Sequence, residues 1–135
     1  PGAGTAAYAL CPTHAIVVDV SFARCEGAPK HVTATLGSGA MIGIAPILDR
    51  RMSDGLRACA EKHGIAYTME VMGGSTGTNA DAIAASRAGV RTGMVSIPQK
   101  NMHTPVEIVC PDDVEAAAQL IAAYVRDTFS EEAGK

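Results

Sequence analysis

Asp19 stands near the end of the apolar, β-branched run AIVVDV at residues 15–20. His103 stands in the polar part of SIPQKNMHTPVE, just ahead of Thr104 and Pro105. Between them lies a glycine-rich segment, GGSTGTNAD. A carboxylate inside an apolar run is costly unless it is paired, hydrogen-bonded or bound to a metal. The plain alternative is an Asp bonded to the N–H groups of the following turn. An imidazole in a loop is a metal ligand or an ordinary surface residue. Pro105 restricts Thr104 and so stiffens the chain beside His103. The glycine-rich segment lets backbone approach a ligand and offers a helix N-terminus to a carboxylate or phosphate. Its plain alternative is a turn followed by a good N-cap. No G-K-[ST] follows, so it is not a Walker loop.

Other motifs are weaker. GSGAMIG lacks the dinucleotide spacing, and no G-x-S-x-G or H-E-x-x-H is present. His14, His31 and His63 read as turn, strand-start and helix-end residues. Glu70 and Glu107 lie in strand-like runs without an evident carboxylate partner, which argues against glycosidase chemistry. The four cysteines, Cys11, Cys25, Cys59 and Cys110, have no C-x-x-C spacing and read as free cytosolic thiols rather than a zinc site.

These side chains must be positioned by regular elements. The spacing predicts a helix over 2–10, stopped near Cys11 by Pro12. Strands are expected at 15–20, 31–37, 65–71, 91–97 (ending at Pro98) and 106–110, with 38–48 ambiguous. A helix is expected from about Asp49 to His63, with Gly64 as its C′ residue. A second runs over 78–89, with Thr78 and Asp81 in a capping pattern and Gly89 as its end. A third starts at Asp112 with Glu115 at the capping-box position. Residues 130–135 read as a solvated tail. The alternation of strands and helices predicts one α/β domain over 1–135 with parallel strands in its sheet. Ligands in such sheets bind beyond the carboxyl ends of the strands. If the strands before Asp19, the GGSTGT loop and His103 are parallel neighbours, all three features share one edge.

Composition narrows the partners. The chain has 135 residues, 47% of them apolar and 19% charged, which suits a globular domain. A net charge of −3, no basic block and few aromatics argue against nucleic acid. No apolar run is long enough for a membrane helix. The opening, PGAGTAAYAL, has no initiator Met and enters regular structure at once, which leads to the expectation that more protein precedes it.

Taken in order, AIVVDVSFA, LGSG, STGTNADAI and VSIPQKNMHTPVE resemble the C-terminal half of the tetrahedral aminopeptidases. That family includes glutamyl and deblocking aminopeptidases and members labelled endoglucanases. The resemblance spans about residues 2–125. It implies a three-layer α/β/α, zinc-peptidase-like fold with a mixed, largely parallel sheet, lacking its N-terminal part. It also implies a cytoplasmic, dinuclear peptidase acting on peptide N-termini with two divalent ions, zinc or cobalt. By resemblance, Asp19 in D-V-[ST] binds one ion and His103 in M-H-[ST]-P-V-E binds the other. Thr76, Gly77 and Thr78 then line the substrate side. The family often reads TGTDA where this chain has Asn79, which puts a charged role there in doubt. The family's other ligands, its Glu base and its oligomerisation insert lie upstream of the matched region. The chain alone is therefore expected to be inactive, as a possible homo-oligomer or the partner of a missing N-terminal part. The alternatives are a non-enzymatic interaction module of the same fold and a carbohydrate-active enzyme.

Overall fold

The computed structural model describes residues 2–130. The β-branched run around Asp19 forms the middle of a longer strand, β1 (His14–Phe22). Before it comes α1 (Gly2–Leu10). After it follow β2 (Ala40–Ile44), α2 (Arg50–His63), β3 (Tyr67–Val71), α3 (Asn79–Ala84), β4 (Arg91–Lys100), β5 (Ile108–Val109) and α4 (Pro111–Phe129). The sheet order is β1-β4-β2-β3, with β5 also against β4. β1 runs parallel to β4, and β2 parallel to β3. The two pairs join antiparallel through β2 and β4, and β5 is antiparallel to β4. The sheet is thus mixed and mostly parallel, and helices cover both faces.

One face is apolar. Ile42 and Val95 lie on it, packed against Met52, Leu56 and Ala60 of α2 and Ala117, Leu120 and Tyr124 of α4. Burying each large aliphatic side chain here contributes roughly 1.5–3 kcal/mol. The opposite face carries Val17 and Met94, packed with Ala80 of α3, and α3 in turn meets α1. On this second face the register places Asp19 beside Ser96 and Ser21 beside Pro98. Val17, Asp19 and Ser21 therefore share a side, because strand side chains alternate. The face turns from apolar to polar towards the end of β1.

Several expectations change. Residues 31–37 are not a strand. Lys30–Val32 forms a 3-10 turn after Pro29, and only Ala34 bridges to Ala23. The ambiguous 38–48 stretch contains β2, entered through Gly39 at φ 93°. A Cβ at Gly39 would lie 2.0 Å from the Ala66 carbonyl oxygen, so only glycine fits. β4 does not stop at Pro98 but runs on to Lys100. Ala23 N–H donates to Gln99 O, so the Pro98 nitrogen faces the other side of β4. There β2 pairs with residues 95 and 96 and β5 with 99 and 100, so the missing N–H falls in the gap between them.

α3 ends at Ala84 rather than Gly89, because the chain turns back and Val90 N–H donates to Ala84 O. The 106–110 strand shrinks to Ile108–Val109. α4 begins at Pro111, with Pro in the first turn where its missing N–H costs nothing. Glu115 accepts from Gln119 Nε2 instead of capping Asp112. Of the expected tail, residues 131–135 lie outside the described residues.

Candidate functional site

β1 and β4 run side by side to the same end of the sheet, where Asp19 in the last half of β1 and His103 in the loop after β4 line one cavity. Asp19 and Ser21 of β1, Glu70 of β3, Thr76, Gly77 and Thr78, and His103 line it, with a volume of about 270 Å³. The features do not meet by the route of three parallel neighbours. β3 is separated from β1 by β4 and β2 and runs opposite to β4. The loop after β3 nonetheless reaches the cavity, with Thr78 Oγ1 donating to Met94 Sδ at 3.8 Å.

Asp19 is half-buried, and its Oδ1 accepts the Val20 N–H at 2.8 Å. That bond fixes the carboxylate and leaves Oδ2 for another partner. His103 is exposed and sits at φ 64°, in the left-handed region. A non-glycine residue there costs about 1–2 kcal/mol. The surrounding bonds hold it: His103 N–H donates to Glu107 Oε1 at 2.7 Å, and Thr104 Oγ1 lies 2.7 Å from Asn101 O and 3.0 Å from Val106 O. The loop is stiff through Thr104 and Glu107 as well as Pro105.

The glycine-rich loop uses its donors on itself. Asp81 accepts the N–H groups of Thr76 (2.9 Å) and Gly77 (3.1 Å) and the Thr76 hydroxyl. Thr78 Oγ1 accepts Ala80 N–H, and Thr78 N–H reaches Thr76 Oγ1. Burial pushes the Asp81 carboxyl upward, but these Thr76 and Gly77 bonds outweigh it and hold its pKa below the usual range. The loop therefore meets the cavity as a fixed wall, not as a set of open N–H groups awaiting an anion.

Glu70 is the cavity residue that sequence reasoning passed over. It is 3% exposed and accepts a hydrogen bond from Ser21 Oγ. Burial raises its pKa, and the hydroxyls of Ser21 and Ser96 draw it partly back. Its Oε2 has no aligned partner among the described residues. The alternation of TMEV did carry a signal, because it puts Glu70 on the same side of β3 as Thr68.

Oxygen and nitrogen donors of this kind suit a hard or borderline divalent cation. No Lys or Arg lines the cavity. Among the described residues, no cation pairs with Asp19 or Glu70. Asp19, Glu70 and His103 thus share a cavity that holds no cationic side chain. The donor set fits a metal in kind, but it is not a closed shell. The described residues bring three ligand atoms within mutual reach at one place, Cys59, His63 and Asp127, which is not this cavity.

This mixed, mostly parallel α/β fold superposes on solved peptidase structures, with a structure labelled endoglucanase also among its neighbours. An aminopeptidase from the archaeon Desulfurococcus kamchatkensis is 33% identical with a TM-score of 0.84, over 93% of this chain and 37% of that one. The Pyrococcus horikoshii TET1 peptidase, which can assemble into a tetrahedron or a large octahedral shell, is 29% identical with a TM-score of 0.69, over 90% and 36%. In sequence, the lysyl aminopeptidase of Pyrococcus furiosus is 29% identical over 126 residues, 93% of this chain and 36% of the relative. The chain belongs to the M42 glutamyl aminopeptidase family, whose model matches residues 1–120. It spans a little over a third of the length of the curated relatives it matches.

Proposed function

We propose that this chain forms part of the active centre of a metal-dependent aminopeptidase, as the C-terminal portion of its catalytic domain. The observation that carries the proposal is the one cavity that Asp19, His103 and Glu70 line without a Lys or Arg. In this reading Asp19 and His103 each hold one of two divalent ions, zinc or cobalt. Bound there, such ions acidify a coordinated water and polarise a peptide carbonyl. The protein's own part is positional. The Val20 N–H aims the Asp19 carboxylate, and Glu107 and Thr104 aim the imidazole. Thr76, Gly77 and Thr78 form the wall against which the first residues of a peptide lie. Asp81 keeps that wall rigid.

The chain by itself does not hydrolyse peptides in this proposal. Asp19 is committed to metal, and Glu70 is buried and bonded to Ser21, so neither is free to take a proton from water. That burial also speaks against the carbohydrate-active alternative, which needs two carboxyl groups facing one sugar. Four free cysteines suit a reducing, cytoplasmic setting. No helix among the described residues is long and apolar enough to cross a membrane.

The test is calorimetric titration of zinc and cobalt into the chain, with Asp19→Ala and His103→Ala beside the parent. Each substitution is expected to weaken cavity-site binding at least about tenfold, the loss seen even when an outer partner of a ligand is removed. Two variants that titrate like the parent would refute the ligand assignment. Release of N-terminal residues by the purified chain would refute its inactivity.

A further inference from the structure

On the opposite face of the sheet, α2 and α4 pack unusually closely. A Cβ at Gly55 would sit 2.9 Å from Cε2 of Tyr124, so the absence of a side chain there lets the helices approach. One and two turns further along α2 come Cys59 and His63, four residues apart and so on one side of the helix. Three residues past Tyr124 on α4 comes Asp127. The close approach brings the three together. Cys59 Sγ, a ring nitrogen of His63 and a carboxylate oxygen of Asp127 all lie within 4.8 Å of one another. His63 Nε2 and Asp127 Oδ2 are 2.8 Å apart.

From this geometry we propose that Cys59, His63 and Asp127 form a second site, for a borderline-soft divalent cation of the zinc type, that clamps the end of α2 to α4. Thiolate, imidazole and carboxylate are the three protein donors zinc accepts. In a tetrahedral shell with bonds of 2.0–2.3 Å, neighbouring donor atoms lie roughly 3.5 Å apart. The observed spacing, 2.8 Å for His63 to Asp127 and at most 4.8 Å for the others, brackets that value. Cys59 and Asp127 both line an open cleft of about 380 Å³, with Arg51 and Lys62 at its wall, which would give a cation a path in.

Lys62 Nζ lies 2.8 Å from Asp127 Oδ2 in the metal-free arrangement. It is exposed on a flexible stem and swings aside when a cation takes that oxygen. Burial, with Asp127 nearby, raises the Cys59 thiol pKa, so the metal-free thiol is protonated and binding releases its proton to solvent. C-x-x-x-H on a helix was the available sequence signal. It is overlooked when only C-x-x-C is sought, because the third ligand lies 64 residues beyond His63.

Cobalt titration of the 135-residue chain separates this site from the cavity, because only a sulfur ligand produces thiolate-to-cobalt charge-transfer absorption in the near ultraviolet. The parent is expected to show that band, and Cys59→Ser to lose it. His63→Gln, at an exposed position, should weaken it at least about tenfold in affinity. The Asp19→Ala, His103→Ala double variant should keep it unchanged, whatever the fate of the cavity reading. Absence of the band in the parent, its persistence in Cys59→Ser, or an unaltered titration of His63→Gln would overturn the proposal. If Cys59→Ser does not fold by circular dichroism, the parent and His63→Gln titrations decide.

Discussion

His103 holds a backbone conformation that most residues avoid, and the Glu107 carboxylate helps to keep it there. Glu107 Oε1 takes the His103 N–H at 2.7 Å while the imidazole is left to face the cavity. Strain of this sort persists only where surrounding contacts over-determine it. Glu107→Ala should therefore free the loop to relax and scatter the ring. Cavity-site metal affinity should fall several-fold, on the order of the 10-fold effect of an outer partner, with little change in thermal stability. Isothermal titration of parent and variant checks this, and equal affinities would show that Glu107 does not position the ring. That Asp19 and His103 come to one end of the sheet was legible in sequence, because each stands at or just after the end of a strand-like run. Glu70 was not, because a single Glu inside a strand-like run does not reveal what lies across from it. Only the folded sheet brings Ser21 of β1 to its carboxylate.

At the level of elements, buried Asp113 links two pieces of chain that sequence reading treated apart. It lies in the first turn of α4 and is fully buried. Its Oδ2 accepts Gly37 N–H at 2.8 Å and its Oδ1 accepts Gly39 N–H at 2.7 Å. Those bonds hold the tight entry to β2, the central strand beside β4. Asp113→Ala leaves the buried Gly39 N–H without a partner, a cost of about 1–3 kcal/mol, whereas the exposed Gly37 N–H can turn to water. A loss of roughly 1–3 kcal/mol in urea unfolding is expected, and a loss under about 0.5 kcal/mol would mean that water replaces the carboxylate. Periodicity made α2 legible almost to the residue, since Asp49 caps it and Gly64 ends it at φ 65°. It failed at 31–37, where His-Val-Thr-Ala-Thr-Leu-Gly alternates like a strand but has no sheet edge to join beyond Ala34. It failed at Pro98 too, because a proline is tolerated wherever its nitrogen faces a gap between partners.

For the whole molecule, the layering was legible from the order of strands and helices, but strand order and direction were not. Nothing in the sequence reports that β2 inserts antiparallel to β4, since crossover geometry is settled only by which faces pack. That arrangement leaves β1 at the edge of the sheet, with its outer side bridged among the described residues only near Ala23. Val18 and Phe22 of β1 are 51% and 57% exposed, and by the alternation of the strand they share one side of it. An open strand edge flanked by uncovered apolar side chains is a surface that recruits further strands. The expected consequence is concentration-dependent association of the chain through β1. Sedimentation velocity should show an average mass rising above the 13.8 kDa of one chain as concentration increases. Val18→Lys with Phe22→Lys places two ammonium groups on that edge and should return the chain to a monomer without changing its circular dichroism. A parent that stays monomeric throughout, or a double variant that associates as before, would remove β1 from the account and shift attention to the outer edge of β3.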